Sequence, residues 1–317
     1  MPGTVASCRL DATAEIIGDG LLETGRDVVV GRGTWISMGA GHRVTIGEGV
    51  WIGNDCDINA APRIAIGARS SLQNRSQVLG DVSIGAGCVC AANLYVSSSW
   101  HRFADTPHLP VRVQDFHAQS LAAGQRSRAV HIGDDCWFGI NVVVLPGVTI
   151  GRGCVIGANS VVCDDLAPYS IAAGSPARVV KTRLEFSPPG TIDASVDTHI
   201  PYFYAGLRQL GPVGADDREC PRVRGGWPTA RAFSLALRTT GSTSVLLALD
   251  SICAGQLRHG DAIVDIRPGQ QTVSFPPTPG RWGVLEFDWH ASASPVTDAL
   301  VVLGASAANT TAEGSGR

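Results

Sequence analysis

The sequence has 317 residues, of which 38 are glycine, and only 17% are charged. The 25 Lys plus Arg residues nearly balance the 28 Asp plus Glu residues, which gives a formal net charge of -3 and argues against a nucleic-acid-binding surface and against a disordered chain. The hydrophobic fraction of 44% is sufficient for a large core, and the length fits one large or two ordinary domains.

The start of the sequence lacks the basic and apolar pattern of a signal peptide, and no apolar run reaches the ~18 residues that span a membrane. We therefore expect a soluble, cytoplasmic protein with no transmembrane segment. The nine cysteines form no CxxC pair, so neither a disulfide framework nor a zinc ribbon is predicted.

A period of six residues dominates the first half of the chain. Apolar residues recur at this spacing with one two-residue slip and one long interruption. They are Ile46, Ile52 and Ile58, then Ile66, Leu72, Val78, Ile84, Cys90 and Val96, and finally Ile132, Phe138, Val144, Ile150, Ile156 and Val162. Neither the helical period of 3.6 nor the strand period of 2 explains this spacing. It predicts a triangular solenoid in which each hexapeptide forms one short strand and one corner, and about 18 residues form a coil stacked at the ~4.8 Å strand spacing.

The fifth place of each hexad is also predicted to point inward, and it holds small residues. Four of the cysteines occupy this place, namely Cys56, Cys88, Cys136 and Cys154. A free cysteine packs like a small apolar side chain, so we interpret these four as core residues and not as ligands or nucleophiles.

The most specific segments of the repeat are residues 132–139, 145–151 and 172–181. In them the sequence resembles the left-handed β-helix hexapeptide-repeat acyltransferases, and within that family the galactoside, maltose and xenobiotic O-acetyltransferases. The resemblance covers roughly residues 28–181. It implies a left-handed β-helix, acetyl-CoA as co-substrate with no metal, and a homotrimer whose active sites lie between subunits.

The interruption between Val96 and Ile132 predicts a polar protruding loop, residues 97–129, and long loops in compact domains are often functional. In the resembling enzymes the catalytic histidine lies five residues after the apolar start of the last hexad before this loop, a place held here by His101. Its imidazole would accept the proton of an acceptor hydroxyl. The sequence leaves open whether Asp105 or Asp115 orients it. Serine acetyltransferases place an Asp directly before the histidine, where this chain has Trp100, which argues against that branch.

By resemblance, one group of residues binds the acyl donor. Trp137 would pack near the thioester, Gly139 and Ile140 would line the pantetheine groove, and Ala158 would leave room for the chain. The basic residues Arg178 and Lys181 would contact the nucleotide phosphates. Relatives often carry a Lys after the last repeat where this chain has Asp164 and Asp165, so phosphate binding would depend more heavily on Arg178.

Candidate acceptor contacts are Gln73, Asn74 and Trp100. The first two lie one coil before His101, near the place where related sugar acetyltransferases present an amide to the acceptor. A different interpretation of Asn74 remains open, because asparagine at solenoid corners often satisfies backbone groups.

The second half of the chain predicts a different architecture. We expect the β-helix domain over residues 1–183, a linker over 184–216, a β-sandwich or jelly-roll over 217–304 and a disordered tail over 305–317. Six aromatic residues in this half are candidates for stacking on sugar rings, although most are expected to be core residues. They are Tyr202, Phe203, Tyr204, Trp227, Trp282 and Trp289.

Together these features predict an all-β acyltransferase that moves acetyl from acetyl-CoA to a hydroxyl of a saccharide. That saccharide could be a nucleotide sugar, a lipid-linked glycan or a surface polysaccharide. Alternatives are an N-acetyltransferase for an amino sugar and a non-catalytic trimeric glycan-binding scaffold. A zinc-dependent carbonic anhydrase shares the solenoid, but the histidines here do not fall on successive coils at matching phase.

Overall fold

A computed structural model of the chain describes residues 8–118, 127–205, 207–209, 226–228, 232–251, 253–277, 281–291 and 300–308. The chain divides into two compact units, Met1–Phe186 and Ser187–Arg317. Within the described residues, no helix has both the length and the apolar character needed to cross a membrane.

The first unit is a parallel β-solenoid of about eight turns that matches a left-handed β-helix. Its first four coils contain β1 (Arg9–Leu10), β2 (Glu15–Ile17), β3 (Leu21–Thr24), β4 (Val29–Val30), β5 (Trp35–Met38), β6 (Arg43–Ile46), β7 (Trp51–Ile52), β8 (Asp57–Ile66), β9 (Ser71–Leu72) and β10 (Gln77–Ile84). The later coils contain β11 (Val89–Cys90), β12 (Tyr95–Ser97), α1 (Val111–Ala118), β13 (Val130–Ile132), β14 (Trp137–Phe138), β15 (Val143–Val144), β16 (Thr149–Ile150), β17 (Val155–Ile156), β18 (Val161–Val162), β19 (Ser170–Gly174) and β20 (Ala177–Thr182).

The strands of the solenoid stack into three faces. The first face runs β1-β4-β7-β9-β11-β14-β17-β19, and β20 folds back antiparallel onto β19 at its end. The second face runs β2-β5-β8-β10-β12-β15-β18, and the third consists of β3, β6, the later halves of β8 and β10, β13 and β16. We call the turn from the first to the second face the first corner, and the turn from the second to the third face the second corner.

The six-residue period corresponds to the core of this unit. Every apolar residue named above for that period is buried, and so are all four fifth-place cysteines. The Cys136 thiol donates to the carbonyl oxygen of Gly151 at 3.3 Å. Hydrogen bonds with the thiols of Cys154 and Cys88, together with burial, raise the pKa of Cys136 well above its usual value. The predicted packing role of these cysteines is therefore confirmed, and Cys136 stays a neutral thiol.

The first corner is reinforced by asparagine side chains in the left-handed backbone region. Asn93, Asn141 and Asn159 have φ of 61°, 59° and 57°. The amide of Asn93 donates to Asn141 at 2.7 Å, and that of Asn141 donates to Asn159 at 2.9 Å. Asparagine tolerates this conformation better than most residues, so one ladder of amides joins three successive coils.

The chain leaves the solenoid after β12 and returns to it at β13 without loss of register. Gln77 and Tyr95, on successive coils, pair 18 residues apart, whereas Tyr95 pairs with Val143, 48 residues further on. The excursion contains α1, which the sequence did not predict.

The second unit contains two antiparallel sheets. Its strands are β21 (Thr191–Asp193), β22 (Leu207–Gln209), β23 (Gly226–Pro228), β24 (Ala232–Ala236), β25 (Ser244–Ser251), β26 (Gly255–His259), β27 (Ala262–Ile266), β28 (Gly269–Phe275), β29 (Val284–Ala291) and β30 (Leu300–Ala308), with short 3-10 helices at Asp197–Tyr202 and Arg281–Gly283. One sheet has the order β22-β23-β30-β25-β28 with β21 paired to β30, and the other has the order β24-β29-β26-β27. Inward residues of both sheets share one core, as expected for the predicted sandwich.

Two sequence-based boundaries need correction. The predicted linker 184–216 contains β21, which pairs with β30, so this segment belongs in part to the sandwich. The predicted disordered tail begins inside β30, which continues to Ala308, while residues 309–317 lie outside the described residues.

The aromatic residues of the second unit lie mainly in its core. Phe203, Tyr204 and Trp289 are buried, and Tyr202 and Trp282 are half-buried. The side chain of Trp227 lies outside the described part of the chain. Most of these residues therefore provide no exposed platform for a sugar ring.

Candidate active site

His101 projects from the first residues of the excursion, and 84% of its side chain is exposed. Its Nδ1 lies 2.5 Å from Oδ2 of Asp115 on α1. A carboxylate only accepts hydrogen bonds, so this partner places the proton of the neutral ring on Nδ1 and leaves the Nε2 lone pair facing solvent. A base hydrogen-bonded to an orienting carboxylate is an arrangement compatible with general base catalysis.

Asp115 is held by two donors. Besides His101, the backbone N–H of Arg102 donates to Asp115 Oδ1 at 2.7 Å. The hydrogen bond from Arg102, then that from His101, lower the pKa of Asp115 below its usual value. Asp115 is therefore an anion at neutral pH. Sequence reasoning named Asp105 and Asp115 as equal candidates; the structure pairs Asp105 with Arg102 Nε at 2.8 Å instead.

Helix α1 brings Asp115 to His101, and Gln114 holds the helix against the segment that precedes it in the excursion. Pro110 precedes the helix, and its carbonyl oxygen accepts from the N–H groups of Val113 and Gln114. The Gln114 side chain is buried, and its amide nitrogen donates to Leu109 O at 2.9 Å while its Oε1 accepts from Thr106 N at 3.2 Å. Because the buried residue of α1 is the polar Gln114, the helix lacks a hydrophobic periodicity. The sequence therefore did not predict this helix.

A short neck closes the base of the excursion beside Trp100. Ser99 and Ser127 form an antiparallel bridge, and Arg128 N donates to Ser98 O at 2.8 Å. The guanidinium of Arg128 lies over the half-buried Trp100, 4.8 Å from the centroid of the indole ring. The neck therefore holds the three residues that precede His101, Ser98 to Trp100.

The predicted donor-binding residues Gly139, Ile140 and Ala158 stack at the first corner. A Cβ added to Gly139 would lie 2.6 Å from Ala158 N, so only glycine allows the two coils to approach here. Ile140 is 44% exposed and Ala158 is exposed. This corner therefore offers an extended ligand a solvent-accessible surface with small side chains.

Trp137 begins the adjacent first-face strand of the same coil as Gly139. Its side chain is 54% exposed and lines a surface pocket of about 410 Å³ together with Val89, Val155 and Arg183. These residues fit the shape that the resemblance implies for a pantetheine chain, because small residues lie at the corner and an exposed aromatic lies beside them.

The predicted phosphate contacts lie at the end of the solenoid on β20. Lys181 is exposed, while Arg178 Nη1 lies 2.9 Å from Asp164 Oδ2. This ion pair is largely exposed and therefore weak, so Arg178 can exchange Asp164 for a phosphate. Asp165 is committed elsewhere, because its Oδ1 accepts from Thr149 N at 2.6 Å.

The two predicted amide contacts, Gln73 and Asn74, lie at the first corner. Asn74 Oδ1 accepts the N–H of Asn54 at 2.9 Å, which is the corner role left open for this residue. His101 follows the far end of the second face, beyond β12. Within one chain the structure therefore separates His101 and Trp100 from Gln73, Asn74 and the donor-binding residues. Among the described residues no cluster of three His, Cys, Asp or Glu side chains could hold a metal ion.

Comparisons with known proteins point to the same fold. A family model described as bacterial transferase hexapeptide (six repeats) matches residues 129–164. A probable acetyltransferase of Mycobacterium tuberculosis is 42% identical over 103 residues, which are 32% of this chain and 31% of the relative. A chloramphenicol acetyltransferase of Escherichia coli is 35% identical over 104 residues, which are 32% of this chain and 48% of the relative.

A solved structure of a polySia-specific acetyltransferase, NeuO, is 22% identical, with a TM-score of 0.44, and the match covers 57% of this chain and 77% of NeuO. The matched segments span 31% and 48% of the length of the two curated relatives named above. Within the first unit, the segment that matches the bacterial transferase hexapeptide model is residues 129–164, which contains β13 to β18.

Proposed function

We propose that this chain is a CoA-dependent O-acetyltransferase that acetylates a hydroxyl of a saccharide. The observation that carries the proposal is the pair of His101 and Asp115 at 2.5 Å, on an excursion from a hexapeptide-repeat solenoid. The repeat identifies the scaffold, and the pair supplies a base with an orienting anion.

His101 performs the proton transfers in this mechanism. Its Nε2 accepts the proton of the acceptor hydroxyl as the oxygen attacks, and the same nitrogen returns a proton to the departing sulfur. Asp115 stabilises the imidazolium between these two steps, because its lowered pKa keeps it ionised. When bound, acetyl-CoA supplies the activated acetyl group, and Trp137, Gly139, Ile140, Ala158, Arg178 and Lys181 would hold it.

We also propose that the chain works as a homotrimer with its sites between subunits. Gly139, Ile140 and Ala158 of the proposed donor site lie at the first corner and His101 at the second, so one chain alone holds these two parts apart. The first face also exposes apolar residues such as Val89, at 52%, and Trp137, at 54%. Apolar area of this kind commonly marks an interface.

The test is to incubate the protein with acetyl-CoA and a panel of saccharides, following free thiol release and the mass of the acetylated product. We expect turnover, and we expect His101→Ala to lower kcat by about 10²–10⁴-fold. His131→Ala is the matched control, because His131 is an exposed histidine of the same coil that bonds Ser83. Undiminished turnover by His101→Ala would contradict the mechanism, and release of thiol without acetylated saccharide would contradict the acceptor class.

A further inference from the structure

About half of the described arginines of the first unit pair with carboxylates, and Arg128 belongs to the rest. Six of these arginines form ion pairs, namely Arg26 with Glu48, Arg43 with Glu23, Arg63 with Asp81, Arg102 with Asp105, Arg178 with Asp164 and Arg183 with Asp135. The exposed Arg128 side chain has no ion pair or hydrogen bond to any residue that the structure describes. Its guanidinium instead lies over Trp100, 4.8 Å from the ring centroid.

The backbone of Arg128 is fixed from both sides. Its N–H donates to Ser98 O at 2.8 Å, and its carbonyl oxygen accepts from Gly147 N at 3.0 Å. Gly147 has φ +84°, and an added Cβ there would lie 3.1 Å from Arg128 Cβ. Because the backbone is held and the guanidinium rests on an indole, little side-chain freedom remains to be lost when a ligand binds.

The charges around His101 leave this guanidinium uncompensated. Of the two carboxylates in the described part of the excursion, Asp105 pairs with Arg102 and Asp115 pairs with His101. Trp100 directly precedes His101 in sequence, so this guanidinium lies over the residue next to the proposed base. The Arg128 side chain is exposed, and the N–H groups of a guanidinium match the two oxygens of a carboxylate or phosphate.

We propose that Arg128, supported by Trp100, binds an anionic group of the acceptor saccharide while a hydroxyl of that saccharide faces His101. The inference rests on the proposed function and narrows its acceptor to saccharides that carry a carboxylate or a phosphate. Trp100 is a positioning residue in this assignment, since it acts through Arg128.

Two matched pairs of probes test the inference by equilibrium binding to the full chain. Sialyllactose and lactose differ by a sugar that bears a carboxylate, and UDP-N-acetylglucosamine and N-acetylglucosamine differ by a nucleotide diphosphate. We expect the anionic member of at least one pair to bind more tightly, with an affinity that falls as salt rises. The pair that shows the difference identifies the anion as carboxylate or phosphate.

Three variants assign the effect to the side chain. Arg128→Gln should weaken binding of the anionic probe about 10-fold or more, the scale of a lost hydrogen bond to a charged group. Arg128→Lys should restore part of it, because the charge remains while the two-pronged geometry is lost. Arg112→Gln, at an exposed arginine of α1, should bind like wild type. Unchanged thermal midpoints show that the fold is intact.

Equal binding of both members in each pair, or equal binding by Arg128→Gln and wild type, overturns the inference. The acetylation assay separates this failure from that of the proposed function. Efficient, Arg128-independent acetylation of lactose leaves the acetyltransferase proposal standing and removes the anionic acceptor. Arg128-dependent binding of sialyllactose without acetylation of any saccharide leaves the anion-binding site standing and removes the acetyltransferase proposal.

Discussion

At the scale of single residues, the pair of His101 and Asp115 gives the sharpest expectation for catalysis. Asp115→Asn keeps the size of the side chain but removes the anion that stabilises a charged imidazole. We expect kcat to fall by about 10²-fold or more, with the KM for acetyl-CoA little changed, as measured in steady-state assays. Asp105→Asn is the control, since it loses only an ion pair with Arg102. Equal losses in both variants would argue for a general effect on the excursion.

The lowered pKa of Asp115 also has a consequence for stability. Hydrogen bonds from Arg102 N–H and His101 hold it below the usual value of about 3.9. The carboxylate therefore stabilises the fold at pH values above the usual pKa, and this contribution disappears as pH falls through the lowered pKa. The difference in thermal midpoint between wild type and Asp115→Asn should be present at pH 5 and shrink towards pH 2. A difference that grows on acidification would contradict this assignment.

At the scale of elements, the fifth place of a hexad accommodates only a small side chain in the core. Cys136→Leu forces extra methyl groups between coils, and we expect a loss of about 1–3 kcal/mol in the free energy of unfolding. Cys136→Ser should be tolerated better, because Ser70, Ser76 and Ser160 fill the same place elsewhere. Urea unfolding of the two variants measures the difference. Equal stability of the two variants would mean that the coils yield at this position.

The same element scale shows what the sequence can and cannot predict. The coils follow from the sequence because an apolar residue at every sixth place has to point inward, and this predicts the buried positions of Ile132 and Phe138. The partner of His101 could not be assigned, since Asp115 reaches it only through the path of α1. That path depends on Gln114, a buried polar residue with no periodic signal. β21 falls in the segment expected to be a linker for a related reason, because a short strand in a sandwich depends on its partner, here β30.

At the scale of the whole molecule, the separation of the two corners predicts that inactive chains can rescue one another. His101→Ala lacks the base, and Ala158→Trp blocks the exposed first corner without entering the core. If each site combines His101 of one chain with the first corner of the next, random mixed trimers made by co-expression contain intact sites at about a quarter of their interfaces. We expect up to about that fraction of wild-type activity to return.

The control for this rescue is a chain that carries both substitutions, co-expressed with His101→Ala. It provides no intact base in any subunit, so no activity should return. Failure of the two single variants to complement, in particles whose mass in solution is three times the 33.0 kDa of one chain, would place each site within a single chain.

Because Ser98 and Arg128 are hydrogen-bonded at the base of the excursion, the segment between them could be replaced by another segment. Because Tyr95 and Val143 stay in register across 48 positions, the coils above and below do not depend on what the intervening chain contains. The free energy of loop closure rises by only about 0.6 kcal/mol for each doubling of loop length, so the fold should tolerate inserts of other lengths. A library of segments between these two residues, with His101 and Asp115 retained, would therefore alter acceptor choice while leaving the donor-binding corner untouched.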